Sequence, residues 1–370
     1  MLNRLYIHNY RGLDNFELSL RGLSSALLIG KNGSGKTTVG QALEILQKIA
    51  QGGSRFVEVV DKKDFTREQM DIPMRFEIEV ELQTSVYIYT IVFELPKDAT
   101  ELQIAHENLS LNGRNVFTRE GNKMHVGDGN QHHPFQITVE TIGLSIIQSV
   151  PVSILKQWLG RLLILRPIPS LMSGETDQQK HSPYPHTTLT NFGAWFSALT
   201  QQFPATYSNM YEYLKQISPD LKEIQNVLIS KNALNLEIHF SNNYGTLKLD
   251  FGDLSDGEKC FMLAATVIAS SEVYQNTLCF WDEPDNYLSL DEVGHFVMAL
   301  RRAFRSGEGQ LIVTSHNPEA IRRFSDENTF VLHRSNHFEP TLIHPLSELR
   351  ANGKLNGDLI SALIRGDVYP

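Results

Sequence analysis

The spacing of apolar residues changes period several times along the chain, and each change marks an element. "LNRLYIHNY" alternates apolar and polar positions as a strand does, and "FELSL" alternates again beyond a turn at Arg11-Gly12. "SALLIG" is an unbroken apolar run ending at Gly30, which suits a parallel strand buried on both faces. From Lys36 to Ala50 the positions Val39, Ala42, Leu43, Leu46 and Ile49 follow helical spacing. Period two returns in "RFEIEVEL" and "VYIYTIVFEL", and "LSLNGRNVFTR" predicts a hairpin turning at Asn112-Gly113. These strands predict an antiparallel β lobe from Ile72 to about Val126.

"VGDGNQHHP" (Val126 to Pro134) reads as a loop, with helical material after it. "SGETDQQKHSPYPH" (Ser173 to His186) is polar and expected to be mobile. "FGAWFSALTQQF" and "YSNMYEYLKQI" predict amphipathic helices, and "ALNLEIHF" with "GTLKLDFG" a hairpin. The last third alternates buried strands ("TLCFWDEP", "GQLIVTSHNP", "NTFVLHR") with helices such as "LDEVGHFVMALRRAF". That alternation predicts a mostly parallel sheet flanked by helices, an α/β fold. No internal repeat and no heptad run of coiled-coil length is present.

Composition narrows the classes. The chain has 370 residues, 41% hydrophobic and 20% charged, an ordinary globular balance. A net charge of −9 removes any protein-wide basic field toward nucleic acid or anionic membrane. Its two cysteines, Cys260 and Cys279, lie in apolar runs and read as buried thiols rather than a disulfide framework. "MLNRLYIHNYRG" has no apolar core of a secretory leader, and the most apolar stretch (Ser145 to Ile168) is broken by Gln148, Lys156, Gln157, Arg161 and Arg166. A cytoplasmic protein without a membrane partner is expected.

The chemistry sits in four short stretches. Gly30-Lys31-Asn32-Gly33-Ser34-Gly35-Lys36-Thr37, followed by Thr38, matches G-x-x-x-x-G-K-[ST] between a strand and a helix. Its glycines let backbone N–H groups converge on phosphate oxygens at a helix N-terminus. Lys36 would reach the β- and γ-phosphates of ATP and the Thr37 hydroxyl would bind Mg²⁺. Next, "TLCFWDEP" ends a buried strand in two acids: Asp282 is placed to bind Mg²⁺ and Glu283 to act as general base. His316 ends the following strand and can contact the γ-phosphate. The other histidines singled out, His132, His133, His181, His186, His333, His337 and His344, read as structural. Lastly, "LSDGEK" puts Ser255, Gly257 and Glu258 at a helix start. That is either an anion site or an ordinary capping box.

In this order, "GKNGSGKTT", "LSDGEK", "CFWDEP" and "TSH" resemble the ABC-type ATPases. In that family the signature loop of one subunit closes over ATP held by the phosphate loop of another. The resemblance implies that Ser255, Gly257 and Glu258 approach ATP on a second copy, in a head-to-tail dimer or a higher homo-oligomer. "IHNYRGLDNFELSL", the Gly257-Glu258-Lys259 ending and the β lobe resemble the OLD, RecF and SMC-like branch. "LTNFGAWFSAL" and "SPDLKEIQNVLI" resemble its AAA_21/AAA_15 group. The implied division is an N-terminal part of the ATPase core (1–53), the β lobe (54–140), a helical insertion (141–230) and the rest of the core (231–370). After His316 too little chain remains for the Toprim nuclease domain of OLD proteins. Gln148 and Gln83 are the candidates for the Q-loop glutamine, a D-loop is expected between Asp285 and Asp291, and Tyr10 and Arg11 are the candidates for the adenine contact.

The resemblance implies a Mg-dependent ATPase acting as sensor or scaffold for a separate effector, a nuclease or toxin encoded nearby. Bacterial antiphage systems of the Septu, PARIS, retron-associated and AbiL types are similar. The alternative is a RecF-like repair ATPase that clamps DNA through Arg161, Arg301, Arg302, Arg305, Arg322 and Arg323. A transporter subunit fits less well, given the long insertion between the phosphate loop and the signature.

Overall fold

β1 (Leu2–His8) and β2 (Phe16–Ser19) pair antiparallel, with Leu5, Ile7, Phe16 and Leu18 buried as the alternation requires. Arg11 (φ 45°) and Gly12 (φ 92°) turn the chain after β1. β3 (Ser25–Gly30) is buried at every position and runs through the phosphate loop into α1 (Lys36–Ala50). The computed structural model describes residues 1–52, 59–97, 99–127, 135–177, 184–353, 355 and 357–365. His132, His133 and His181 lie outside these residues, as do most of the Val126–Pro134 loop and the middle of the Ser173–His186 stretch. The chain divides into two units, residues 1–162 with 325–370, and residues 163–324.

In the first unit, β4 (Met74–Leu82), β5 (Ser85–Glu94), β6 (Gln103–Leu111), β7 (Arg114–Glu120), β8 (Lys123–Val126) and β9 (Phe135–Gln136) continue from β1. They make an eight-stranded antiparallel sheet in the order β2-β1-β4-β5-β6-β7-β8-β9. The β6–β7 hairpin turns at Asn112 (φ 51°) and Gly113 (φ 78°), the pair of left-handed residues a two-residue turn needs. Short α2 (Gly143–Ile146) and α3 (Val150–Gly160) follow. Glu107, fully buried, holds α2 to the sheet: its carboxylate accepts from Gly143 N (2.7 Å), Leu144 N (2.8 Å) and the Tyr89 hydroxyl (2.9 Å).

The second unit starts with β10 (Leu163–Leu165), β11 (Glu175–Asp177), α4 (Phe192–Gln202) and α5 (Ala205–Ile217). β12 (Leu221–Ser230), β13 (Ala233–Asn242) and β14 (Gly245–Asp250) come next and join β11 in a four-stranded antiparallel sheet. The stretch expected to be a helical insertion thus also carries three strands, β10, β11 and β12. α6 (Asp256–Val273) is buried at every residue from Lys259 to Ser271, which makes it a central helix rather than a surface one. β15 (Leu278–Asp282), α7 (Leu290–Ser306), β16 (Gln310–Thr314) and α8 (Pro318–Ile321) complete the unit. β10, β15 and β16 are parallel, in the register Leu163↔Cys279 and Asp282↔Thr314. Cys260 and Cys279 are free and buried, as expected, and burial pushes the Cys260 thiol up to about 12.

The chain then returns to the first unit. β17 (Thr329–His333) runs parallel to β3 with Leu332 opposite Gly30, and β18 (Leu342–Pro345) closes the edge antiparallel. α9 (Leu346–Ala351) and α10 (Leu359–Arg365) end the described chain. Among the described residues no helix is long and apolar enough to cross a membrane.

Candidate functional site

The phosphate loop is shaped by what its glycines permit. A side chain at Gly30 would collide with the Leu332 carbonyl and the Ser34 hydroxyl. Gly33 (φ 78°) and Gly35 (φ 97°) take left-handed backbone that other residues rarely adopt. Ser34 N donates to Lys31 O (3.1 Å), closing the turn. Lys36 is buried with its ammonium donating to Gly30 O (2.8 Å) and Lys31 O (3.3 Å), so its charge lies across the loop. Lys31, Asn32 and Gly33 are exposed, while Thr37 and Thr38 are half-buried on the first turn of α1.

Two observations show that this loop fits a phosphate. The Ser34 hydroxyl is buried and has no hydrogen-bond partner among the described residues, which is costly unless an acceptor arrives. The N-terminus of α1 has neither a side-chain cap nor an acidic residue in its first turn, leaving its positive end for an anion. His333, at the end of the neighbouring strand, has its pKa lowered by burial first and then by the charges of Lys31 and His344.

In the second unit the tips of β15 and β16 are laced together. The Thr314 hydroxyl donates to Asp282 Oδ1 (2.6 Å) and accepts from Glu283 N (2.9 Å). Glu283 has φ 49°, an uncommon conformation for a side-chain-bearing residue and one that recurs at functional sites. Its Oε1 lies 3.0 Å from His316 Nε2, and its Oε2 accepts from Asn286 Nδ2 (2.7 Å). A carboxylate beside an imidazole, each oriented by a named neighbour, can polarise a water, whereas no group of three or more His, Cys, Asp or Glu among the described residues is arranged to hold a metal ion. Thr314 and Asn286 were not visible as site residues in the sequence. Parallel register puts Thr314 beside Asp282, and only the pairing reveals it.

"LSDGEK" forms a complete capping box. Ser255 Oγ accepts from Glu258 N (3.3 Å), while Glu258 Oε2 accepts from Ser255 N (2.8 Å) and Ser255 Oγ (2.7 Å). Glu258 is therefore committed to the cap. Ser255 is exposed and Gly257 half-buried, beside a cleft of about 460 Å³ that Ser255, Gly257, Glu258, Tyr287 and Ser289 help to line.

Other sequence-marked residues fall elsewhere. Tyr10 is 2% exposed with its ring 5.2 Å from Phe76, so it has no free face for adenine, and Arg11 pairs with Asp64 (2.7 Å). Gln83 sits in the β4–β5 turn and Gln148 is exposed between α2 and α3. Asp285 is 4% exposed, whereas Asp291 is exposed on the first turn of α7. Among the arginines suggested for DNA, Arg301 lies 4.4 Å over the Phe324 ring, and Arg322 and Arg323 face Glu319. Arg302 and Arg305 are exposed, and Arg161 is half-buried.

The fold and the phosphate loop define a P-loop ATPase of ABC-like architecture. Residues 1–139 match AAA_15, an AAA ATPase domain, and residues 200–322 match AAA_21, described as "AAA domain, putative AbiEii toxin, Type IV TA system". The sequence resemblance to these two groups is borne out. Over 95% of this chain and 99% of that chain, the structure is similar to an Smc head bound to the C-terminal winged-helix domain of ScpA, with 13% identity and a TM-score of 0.59. It is also similar to an Smc head domain with an extended coiled coil, bound to the C-terminal domain of ScpA derived from Pyrococcus furiosus. That match has 12% identity and a TM-score of 0.52, covering 95% of this chain and 98% of that one. No curated protein sequence matches the chain.

Proposed function

We propose that the chain hydrolyses Mg-ATP and that ATP joins two copies head to tail, as a nucleotide-controlled scaffold for a separate effector protein. The observation that carries the nucleotide reading is the pairing of an orphaned Ser34 hydroxyl with an uncapped α1 N-terminus. In this reading Gly30 to Gly35 and Lys36 hold the phosphates, and Thr38 supports the loop from the first turn of α1. Thr37 and Asp282 would hold Mg²⁺, and a hydroxyl and a carboxylate are the hard oxygen donors that ion prefers. When bound, Mg²⁺ would neutralise phosphate charge. Glu283 takes the proton of the attacking water, His316 steadies Glu283 and contacts the γ-phosphate, and the exposed Ser255 and Gly257 meet ATP on the second copy.

Two findings support an effector. The similar Smc heads are bound to another protein, ScpA, and the AAA_21 description names a putative toxin of a toxin–antitoxin system. A nuclease or toxin in bacterial defence is the partner class this suggests. The arginines expected to clamp DNA are in part engaged with local partners, so no observation favours the RecF-like reading.

The test is solution mass, in a Glu283→Gln background that retains ATP. Because Ser255 caps α6, its loss would also destabilise the helix by about 1 kcal/mol. Ser255→Asp keeps a good cap but places a negative charge where phosphate should arrive. We expect Glu283→Gln to double in mass with Mg-ATP, and Glu283→Gln/Ser255→Asp to stay monomeric with an unchanged Tm. Equal ATP-driven dimerisation in both would reduce "LSDGEK" to a helix cap.

A further inference from the structure

Asp285 stands three residues beyond Asp282 and is 4% exposed. One of its carboxylate oxygens, Oδ2, accepts from the Ser315 hydroxyl (2.8 Å). The other, Oδ1, is buried, and no other described residue gives it a donor. Burial raises the carboxyl above its ordinary value, outweighing the Ser315 hydroxyl, and nearby Glu283 adds to the rise. A buried, half-satisfied carboxylate is a poor choice for closing a turn, because an apolar or amide side chain would fold there at less cost.

What it holds gives the reason. The Ser315 hydroxyl that donates to Asp285 also accepts from Asn317 N (2.9 Å), and Asn317 Oδ1 accepts from Glu319 N (2.9 Å) to cap α8. His316 lies between these two anchored residues, with its Nε2 3.0 Å from Glu283. One residue before Ser315, Thr314 is tied to Asp282 and Glu283. The loop after β16 is thus fixed to the loop after β15 by two separate links, Thr314 to Asp282 and Glu283, and Ser315 to Asp285.

We propose that Asp285 is a positioning residue for hydrolysis: through Ser315 it fixes the turn that carries His316, and so sets how His316 meets Glu283. The proposal rests on Glu283 and His316 being the hydrolytic groups. In this role Asp285 would touch neither ATP nor the attacking water. Its effect must therefore pass through His316, and that makes it separable from a general role in folding.

The experiment measures ATP turnover and ATP affinity in the full chain for Asp285→Ala, Asp285→Asn and Ser315→Ala, each alone and combined with His316→Ala. A displacement of about 1 Å in a reacting group slows turnover ~10²-fold, so Asp285→Ala should lower kcat by ~10–100-fold while the Kd for ATP stays unchanged. Asp285→Asn keeps an oxygen for the Ser315 hydroxyl and should stay close to wild type. In the His316→Ala background, Asp285→Ala should add almost nothing. Multiplicative loss in that background, a loss of ATP affinity, or an Asn variant as impaired as Ala would each overturn the proposal. If Asp285→Ala does not fold, Ser315→Ala carries the same cycle from the other end of the hydrogen bond. Should Glu283→Gln and His316→Ala both turn over normally, the hydrolytic reading itself fails. If those two are dead and Asp285→Ala turns over normally, only the positioning role is lost.

Discussion

Glu283 is held by three different neighbours: Thr314 on its backbone, His316 on one carboxylate oxygen and Asn286 on the other. Preorganisation of this kind lets a general base act without searching for its geometry. Glu283→Gln keeps the Asn286 and His316 contacts available but cannot take a proton. It should slow turnover by ~10²–10⁴-fold with ATP binding retained. Wild-type turnover in that variant would move the base elsewhere. The acids, the loop glycines and Lys36 were legible from sequence because each motif is contiguous. Thr314, Ser315 and Asn286 were not, since they act across a parallel strand pair or a turn whose register no local pattern encodes. Tyr10 misled for a similar reason: nearness in sequence to the phosphate loop says nothing about the Phe76 ring that buries it.

Among whole elements, strands with clean alternation and the helix after Gly35 were readable, because one buried face imposes its period on the sequence. Six strands escaped. β10 is "LIL" inside an apolar run, where strand and helix look alike, while β8, β9, β11 and β18 are too short to show a period. In β12, Leu221, Ile224 and Leu228 have helical spacing although Leu228 is 63% exposed. Period also hides partners, and so the β lobe shares its sheet with β1 and β2. Glu107 shows what joins the β sheet to α2. Removing it in Glu107→Ala would strand two backbone N–H groups and the Tyr89 hydroxyl, at about 1–3 kcal/mol for each buried group left unmatched. Its folded-state carboxyl is raised above 4.5, by burial first, against the lowering effect of its hydrogen bonds. The raised group contributes stability that is fully present below pH 4.5 and is lost as pH rises through the folded value. Chemical denaturation from pH 4 to 7 should therefore show wild type losing ground to Glu107→Gln. A growing wild-type advantage over that range would reverse the assignment.

For the whole molecule, the division of the chain matters more than any one motif. The phosphate loop belongs to residues 1–162 with 325–370, while Asp282, Glu283 and His316 belong to residues 163–324. A ligand stabilises whatever it needs folded, so Mg-ATP held by the residues proposed for it must protect each unit that supplies them. Hydrogen exchange on Glu283→Gln with saturating Mg-ATP tests this. Protection should rise in α1 and equally in β15 and the turn after β16. At a ligand concentration of ~100 Kd the gain should approach about 2.7 kcal/mol, a ~100-fold slowing of exchange from openings that release ATP. Lys36→Ala, which alters only the first unit, should abolish protection in both. Protection confined to α1, or loss confined to it in Lys36→Ala, would mean that the acidic tip serves something other than the nucleotide on its own chain's loop.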